Sequence, residues 1–599
     1  MEAVVIQERL KRLRQKMRDT GVTVYVVPST DCHESEYVSP HYRSRAYITG
    51  FTGSAGTAVI TLTEAGLWTD GRYFIQAEQQ LADTGITLFR MGEPGVPEID
   101  AYVREHLTDG GKLGFDGRVM GARRAEALVR IAGEKRADVL ASEDLVGSIW
   151  EDRPEIPDVP AWILEECWSG ESLRSKLGRI RGEMKKLGAD MHVIASLCDI
   201  AWLLNIRGGD IPGVPVVLSF LTLTEEDCCW YVRRGAVPGN VRDYLKENRV
   251  QIREYEAIYE DLGRLHSGQT VLLDRKNVNY RLIASIPEGT ELLDHDNPSE
   301  LMKAVKNGTE LANLRIAHQK EGAAFTRFMH WIKTNAGKMD ITEIEAADYL
   351  DACRREQDHY VEQSFAPICA YGANGAIVHY SATEESNAHI LPEGFLLVDA
   401  GGHYLEGTTD TTRTIAVGAL SEEEKQMFTA VCRGNLRLAN ACFLKGCTGY
   451  NLDILCREPL WQMGMDYKHG TGHGVGYLLN VHEGPNAFRW KLPDEGSPAV
   501  LSEGMVTTDE PGVYLEGKYG IRTENELVCV EGEANDFGQF LCFENLTLTP
   551  IDLDAVLPEE MTEEERGWLN AYHKNVYKKL SPWMEEEELV WLRTYTREI

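Results

Sequence analysis

FLLVDAGGHYLEGTTDTTRT (395–414) holds two aspartates eleven positions apart, Asp399 and Asp410, with Gly401, Gly402 and Gly407 between them. Asp399 follows the apolar run FLLV, which reads as a buried strand, and runs into Ala-Gly-Gly. A carboxylate emerging from such a strand is costly unless a cation or hydrogen-bond donors meet it. Asp410 opens a second strand, TRTIAVG (412–418), and the spacing allows an antiparallel pair with both Asp side chains on one sheet face. Alone, either residue reads more readily as a turn or helix-cap aspartate.

Three further segments make the bland reading hard to keep. His473 lies in HGTGHGVG (469–476), where alternating glycines permit close backbone approach; the run does not fit a phosphate-binding G-x-G-x-x-G loop. Glu510 in TTDEPGVY (507–514) and Glu524 in GIRTENEL (520–527) end and begin strand-like segments, so they can face one another across a hairpin. Two carboxylates ~4 Å apart repel by roughly 4 kcal/mol at an effective dielectric constant near 20. Four converging carboxylates would therefore take up protons or splay apart unless cations neutralised them. Two divalent ions offset four negative charges and suit hydrolysis of a carbonyl or phosphoryl bond.

The bulk properties set limits. At 599 residues the chain needs two to four domains. Its net charge of −32 argues against nucleic-acid or anionic-membrane partners, which call for Lys and Arg. No uncharged apolar run approaches a membrane span, and residues 1–25 read as a charged amphipathic helix rather than a signal peptide. The thirteen cysteines are scattered, which points to reduced thiols in the cytoplasm and makes the Asn307 and Asn545 sequons chance matches.

Two copies of one plan open the chain. The basic helix QERLKRLRQKMRDTG (7–21) precedes the strand VTVYVVP, and SLRSKLGRIRGEMKKLG (172–188) precedes MHVIAS. Their recurrence predicts two similar α/β domains, 1–155 and 156–304, joined by the proline-rich acidic stretch WEDRPEIPDVPAW (150–162). PSELMKAVKNGTELANLRIAHQKEGAAFTRFMHWIK then reads as one long helical stretch opening a third domain, 305–599. Its end, past residue 550, is acidic, helical and rich in Trp and Tyr (Trp568, Trp583, Trp591, Tyr595), which suits packing onto the body or onto a second subunit.

The order Asp399, Asp410, GTGHGVG, HEGP, DEPG and RTEN resembles the creatinase, prolidase and methionine aminopeptidase superfamily of pita-bread metallopeptidases, and most closely its three-domain Xaa-Pro aminopeptidases. YITGFTGSAGTAVIT with LWTDGRYFIQA is similar to that family's first domain, and SFAPICAYGANGAIVHYSAT (364–383) to its catalytic lead-in. The resemblance implies an α/β (α+β) chain with two creatinase-type N-terminal domains and a C-terminal pita-bread domain. It implies two divalent ions, Mn²⁺ by family habit with Co²⁺ or Zn²⁺ also fitting, and substrates that are peptides with proline second.

By the same resemblance Asp399 and Asp410 hold one ion, His473 serves the other, and Glu510 and Glu524 are shared, with Asp410 and Glu524 bridging. His379 and His482 resemble residues that contact the substrate carbonyl and its oxyanion, and His469 one that lines the proline pocket. Without the family each reads as a core or surface histidine. Arg522, two residues before Glu524, shares its strand face and suits orienting the metal-bound carboxylate. Glu510 is the expected proton carrier to the leaving proline nitrogen. A homodimer is a family expectation. Prolidases are the nearest rival, with one N-terminal domain instead of two; methionine aminopeptidases lack the preceding residues. Metal-free creatinase and inactive peptide-binding modules of this fold are not expected to retain all five ligands.

Overall fold

The computed structural model describes residues 2–492 and 497–599. It divides into two compact units, Met1–Glu165 with Glu171–Ser299, and Glu166–Gly170 with Glu300–Ile599.

In the first unit, Ile6, Leu10, Leu13 and Met17 recur three or four residues apart and are all buried, so Glu2–Thr20 (α1) forms a helix with one apolar face. Gly21, at φ 76°, ends it in the left-handed region that glycine adopts without strain. The chain turns into β1 (Val24–Val27), buried at every position. Around it lie β2 (Thr57–Thr61), β3 (Ala65–Thr69), β4 (Thr87–Arg90), β5 (Lys112–Gly114) and β6 (Asp138–Leu140), in the order β4-β3-β2-β1-β5-β6. Strand β1 is antiparallel to β2 and parallel to β5, and Ala122–Glu134 (α2) connects β5 to β6.

The plan then repeats. Leu173–Leu187 (α3), capped by Ser172 and closed by Gly188 at φ 72°, leads into β7 (Met191–Ile194). With β8 (Ser219–Thr224), β9 (Cys228–Val232), β10 (Val250–Arg253), β11 (Thr270–Leu273) and β12 (Glu291–Asp294) it makes a second sheet, ordered β10-β9-β8-β7-β11-β12. Strand for strand this is the topology of the first sheet, as the recurring helix–strand pair predicts.

The second unit departs from expectation at its start. Residues 298–335 form two helices, Pro298–Ala304 and Gly308–Asn335 (α4), not one. Asn307 caps α4 through the amides of Thr309 and Glu310, while Glu310 reaches back to the Asn307 amide. The sequon asparagine is thus committed to a helix cap.

Three antiparallel strands follow: β13 (Ile368–Tyr371), β14 (Phe395–Ala400) and β15 (Thr411–Ala416), with Asp399 opposite Thr412. On one face, Leu396, Val398 and Ala400 pack against Phe325, Phe328, Met329 and Ile332 of α4. Alternation sends Asp399 to the other face. A six-stranded sheet holds β16 (Phe443–Leu444), β17 (Gly472–Gly474), β18 (Glu483–Phe488), β19 (Val506–Asp509), β22 (Asn525–Asn535) and β23 (Gly538–Asn545), in the order β16-β23-β22-β19-β17-β18. Between β19 and β22 a two-stranded ribbon intervenes, β20 (Gly512–Leu515) with β21 (Tyr519–Arg522).

Helix α5 (Glu422–Ala439) contributes Phe428, Val431 and Leu436 to a core shared with Phe395 and Ile521. The C-terminal helices α6 (Glu563–Leu580) and α7 (Glu586–Tyr595) join it through Leu569, Val576 and Leu592. Their aromatic residues are spent on this unit: Arg413 donates to the Tyr572 hydroxyl at 2.8 Å, and Tyr595 donates to Asp554 at 2.8 Å. The C-terminal segment therefore packs onto its own body. All thirteen cysteines are free thiols, and among the described residues no helix is long and apolar enough to cross a membrane.

Candidate metal centre

Asp410 stands immediately before β15, two residues from Thr412 and so on the same face as Asp399 across the pair. Asp410 and Glu524 are almost wholly buried. Glu510 and Glu524 lie where strand segments end and begin, as the sequence pattern implies. Each occupies an interruption, Glu510-Pro511 between β19 and β20 and Thr523-Glu524 between β21 and β22, where the hairpin passes from one sheet to the next. The two interruptions face each other, with the Thr523 amide donating to the Pro511 carbonyl at 3.3 Å. A backbone leaving regular pairing at matching points can aim both carboxylates inward without breaking a ladder.

His473 sits mid-strand in β17, and its flanking glycines explain how. A Cβ at Gly472 would lie 1.8 Å from the Thr508 carbonyl oxygen, and one at Gly474 would lie 2.2 Å from that of Glu483. Only glycine lets the neighbouring backbones close around the histidine. Its Nδ1 lies 3.0 Å from the Gly474 carbonyl and donates there, which leaves the Nε2 lone pair facing Asp410 at 3.5 Å and Glu510 at 3.7 Å.

Ligand atoms of Asp410, His473 and Glu524 all lie within 4.8 Å of one another. At that separation a pair of carboxylates repels by about 3 kcal/mol at an effective dielectric constant near 20. Burial first, then the charges of Glu524 and Asp399, push the Asp410 carboxyl well above the usual range. Burial and then Asp399 do the same to Glu524. Burial raises Glu510 to about 7 against the opposing pull of Arg522. Oxygen Oδ1 of Asp399 and Oδ1 of Asp410 are buried without a hydrogen-bond partner among the described residues. Oxygen donors that lack protein partners, converging with one imidazole nitrogen, are the donor set of hard and borderline divalent cations. The residues present fit such ions.

The surrounding side chains hold this set in place. Arg522 donates to Asp399 Oδ2 at 2.6 Å, so the carboxylate it orients is Asp399, reached across the sheet pair. Its other terminal nitrogen donates to the Tyr514 hydroxyl at 2.7 Å, and that hydroxyl lies 2.9 Å from Nε2 of His469. Nδ1 of His469 faces the Gly470 carbonyl at 2.7 Å, so Tyr514 is the donor to Nε2. His482 stands edge-on to His473, ring centroids 4.2 Å apart. His379 lies in a partly buried turn after the short helix Gly372–Ala376, which packs on β21 where Gly375 meets the Gly520 amide.

Three partners escape a reading of the motifs. Thr412 donates to Glu524 Oε2 at 2.7 Å, Glu526 accepts the Asp410 amide at 2.7 Å, and Tyr514 links Arg522 to His469. Thr412 and Glu526 sit two residues beyond Asp410 and Glu524, a strand-period spacing that carries a signal; Tyr514 has none of that kind.

Comparison with known proteins agrees with this geometry. Residues 312–531 match Metallopeptidase family M24, 9–145 and 152–310 each match the Creatinase/Prolidase N-terminal domain, and 539–599 match the C-terminal region of peptidase M24. Aminopeptidase P2 of Arabidopsis thaliana is 37% identical over 633 aligned positions, covering 99% of this chain and 89% of that protein. A probable Xaa-Pro aminopeptidase P of Paracoccidioides brasiliensis (strain Pb03) is 36% identical, with both chains covered completely. The crystal structure of an X-prolyl aminopeptidase from Caenorhabditis elegans, described as a cytosolic enzyme with a di-nuclear active site, superposes with a TM-score of 0.94 at 32% identity. It covers 99% of this chain and 100% of that one.

Proposed function

Because the chain belongs to metallopeptidase family M24 and carries its creatinase/prolidase N-terminal domains, we propose that it removes the N-terminal residue from peptides whose second residue is proline. The observation that carries the reading is the gathering of Asp410, His473 and Glu524 within 4.8 Å, flanked by Asp399 and Glu510. Asp399, Asp410, His473, Glu510 and Glu524 would hold two divalent ions, Mn²⁺ in our assignment, with Co²⁺ and Zn²⁺ compatible with the same donors. Such ions, when bound, supply Lewis acidity and lower the pKa of water.

The remaining chemistry falls to the chain itself. Glu510, 3.7 Å from Nε2 of His473 and 4.0 Å from Nδ1 of His469, can take a proton and pass it to the proline nitrogen as the peptide bond breaks. His482 beside His473, and His379 in its turn, are assigned to the oxyanion that develops on the scissile carbonyl. His469, held by Tyr514, is assigned to the wall of the proline pocket. Arg522 fixes Asp399 and holds Tyr514 through its second arm.

We assign the catalytic domain to 305–599, preceded by domains 1–155 and 156–304. We also propose that the protein works in the cytoplasm, which thirteen free thiols suit, and as a homodimer. The exposed Trp461–Trp490 pair, ring centroids 6.1 Å apart, is an apolar patch available to a second copy.

A substrate comparison tests the proposal. With Mn²⁺ present, release of arginine from Arg-Pro-Pro is expected to exceed release from Arg-Ala-Pro by about a hundredfold or more in kcat/KM. The dipeptide Arg-Pro is expected to be the poorer substrate. Equal cleavage of the alanine control contradicts proline specificity, and a preference for the dipeptide turns the reading to a prolidase.

A further inference from the structure

In the first unit, the carboxyl ends of β1, β3 and β5 open on a cavity of about 370 Å³, lined among others by Thr30, Glu34, Ser54, Arg72, Gly121 and Arg124. Its place in the topology has a meaning. From β1 the chain runs to β2, β3 and β4 on one side, then returns to β5 and β6 on the other. Neighbouring connections that diverge in this way leave a crevice at the carboxyl ends of the strands, where open α/β sheets bind their ligands.

Two polar atoms on the lining residues, one on an acid and one on a base, lack protein partners. Oε1 of Glu34 and Nη2 of Arg124 are both buried with no hydrogen bond among the described residues. Arg124 pairs with Asp100 through its other terminal nitrogen, which fixes the guanidinium and leaves Nη2 available. Arg124 also lies in the first turn of α2, whose N-cap, Gly121, has no side chain to cap the helix; the amide end of the helix adds to the pull on an anion.

Glu34 is held by its neighbours in a conformation it would not choose alone. Its φ of 56° is in the left-handed region. Asp31 accepts the amides of His33 and Ser35 at 2.8 and 3.1 Å. The His33 ring is pinned by the Ala195 carbonyl at 2.9 Å and the Tyr255 hydroxyl at 2.7 Å, and Asn279 holds the Cys32 carbonyl at 2.7 Å. Glycine at 121 leaves the carboxylate room, since a Cβ there would lie 2.7 Å from Glu34 Oε2 and push it aside. Strain kept in place by several anchors is characteristic of binding sites. Burial, then Asp31, push the Glu34 carboxyl up to about 8, and an arriving ammonium favours its ionised form, the Glu34 proton leaving to solvent on binding. The motif YITGFTGSAGTAVIT, which the metal centre leaves unused, supplies Ser54, Ala55, Gly56 and Thr57 to this cavity.

We propose that this cavity binds a free α-amino acid as its zwitterion, with the carboxylate on Arg124 and the α2 amide end and the ammonium on Glu34. The cavity presents an unpartnered cationic donor and an acidic oxygen, and a ligand carrying a carboxylate and an ammonium on one carbon offers a partner to each. The site is separate from the residues of the metal centre and does not depend on the peptidase reading.

Calorimetric titration of the full-length, metal-loaded protein with L-alanine, acetate and alaninamide tests this. L-Alanine is expected to bind at least about tenfold more tightly than either half-charged probe. Arg124→Gln and Glu34→Gln are each expected to weaken alanine binding by about tenfold or more, with metal content and Arg-Pro-Pro cleavage unchanged. Gly121→Ala, which places a methyl group against the Glu34 carboxylate without removing any charged group, should do the same if the other variants fold poorly. Absence of alanine binding overturns the proposal. So does binding that all three variants leave intact, which would put the amino acid at the metal centre, or equal binding of acetate, which would leave only an anion site.

Discussion

Glu510→Ala is expected to lower kcat on Arg-Pro-Pro by about a thousandfold or more, the scale of general acid–base catalysis with an added loss of ligand charge. Two roles meet in this carboxylate. It faces Nε2 of His473 at 3.7 Å and Nδ1 of His469 at 4.0 Å, so it stands between the metal-ligating and the substrate-facing histidines. Burial raises its carboxyl in the metal-free protein, and bound cations would draw it back down. The interruption at Glu510-Pro511 aims it inward, and its own amide is tied to the Thr471 carbonyl at 2.8 Å, so it has little freedom to be replaced by a neighbour. Glu510→Gln separates the roles: it keeps the shape but cannot shuttle the proton, and it should be nearly as slow as the alanine variant while retaining more metal. Steady-state rates beside metal analysis of the two variants check this, and wild-type turnover in either removes Glu510 from the chemistry.

Asp410→Asn is expected to weaken binding of divalent cations by about a hundredfold or more and to abolish turnover at micromolar metal. Asp410 is buried, its Oδ1 lacks a protein partner, and its amide is fixed by Glu526, so the backbone position survives the substitution while the charge is lost. The same change should act in the opposite direction on the metal-free protein. Burial and neighbouring charges hold the Asp410 carboxyl well above its usual range, so the metal-free fold must keep it protonated at a cost the unfolded chain does not bear, and Asn removes that cost. Metal-stripped Asp410→Asn should therefore melt at a higher temperature than metal-stripped wild type, with the order reversed once metal is added. Thermal melts with and without chelator read both signs. A variant less stable than wild type in both states would mean that Asp410 is held by protein partners and not by cations.

Much of the site is legible in the chain because each ligand carries a local mark. Asp399 ends an apolar run, His473 is framed by glycines, and Glu510 and Glu524 sit in DEPG and RTEN. The repeated helix–strand pair likewise shows through as two sheets of one topology, since amphipathic period and a terminal glycine are properties of a few adjacent residues. What stays hidden depends on distant partners or on a choice between adjacent local signals. Residues 298–335 keep a helical pattern throughout, yet the Asn307–Glu310 capping box starts a second helix. Arg522 reaches Asp399, 123 positions away, and no pattern near either residue announces that contact. The aromatic C-terminal helices suit the body of the chain somewhat better than a second subunit by composition, and their bonds to Arg413 and Asp554 show the body taken.

Cations hold these acids together, and metal content per chain tests that directly. Protein purified without chelator, reloaded with Mn²⁺ and analysed by elemental spectrometry should carry about two ions per chain. Arg-Pro-Pro cleavage should disappear with those ions on chelation and return with them. Full cleavage by protein that holds no metal would contradict it.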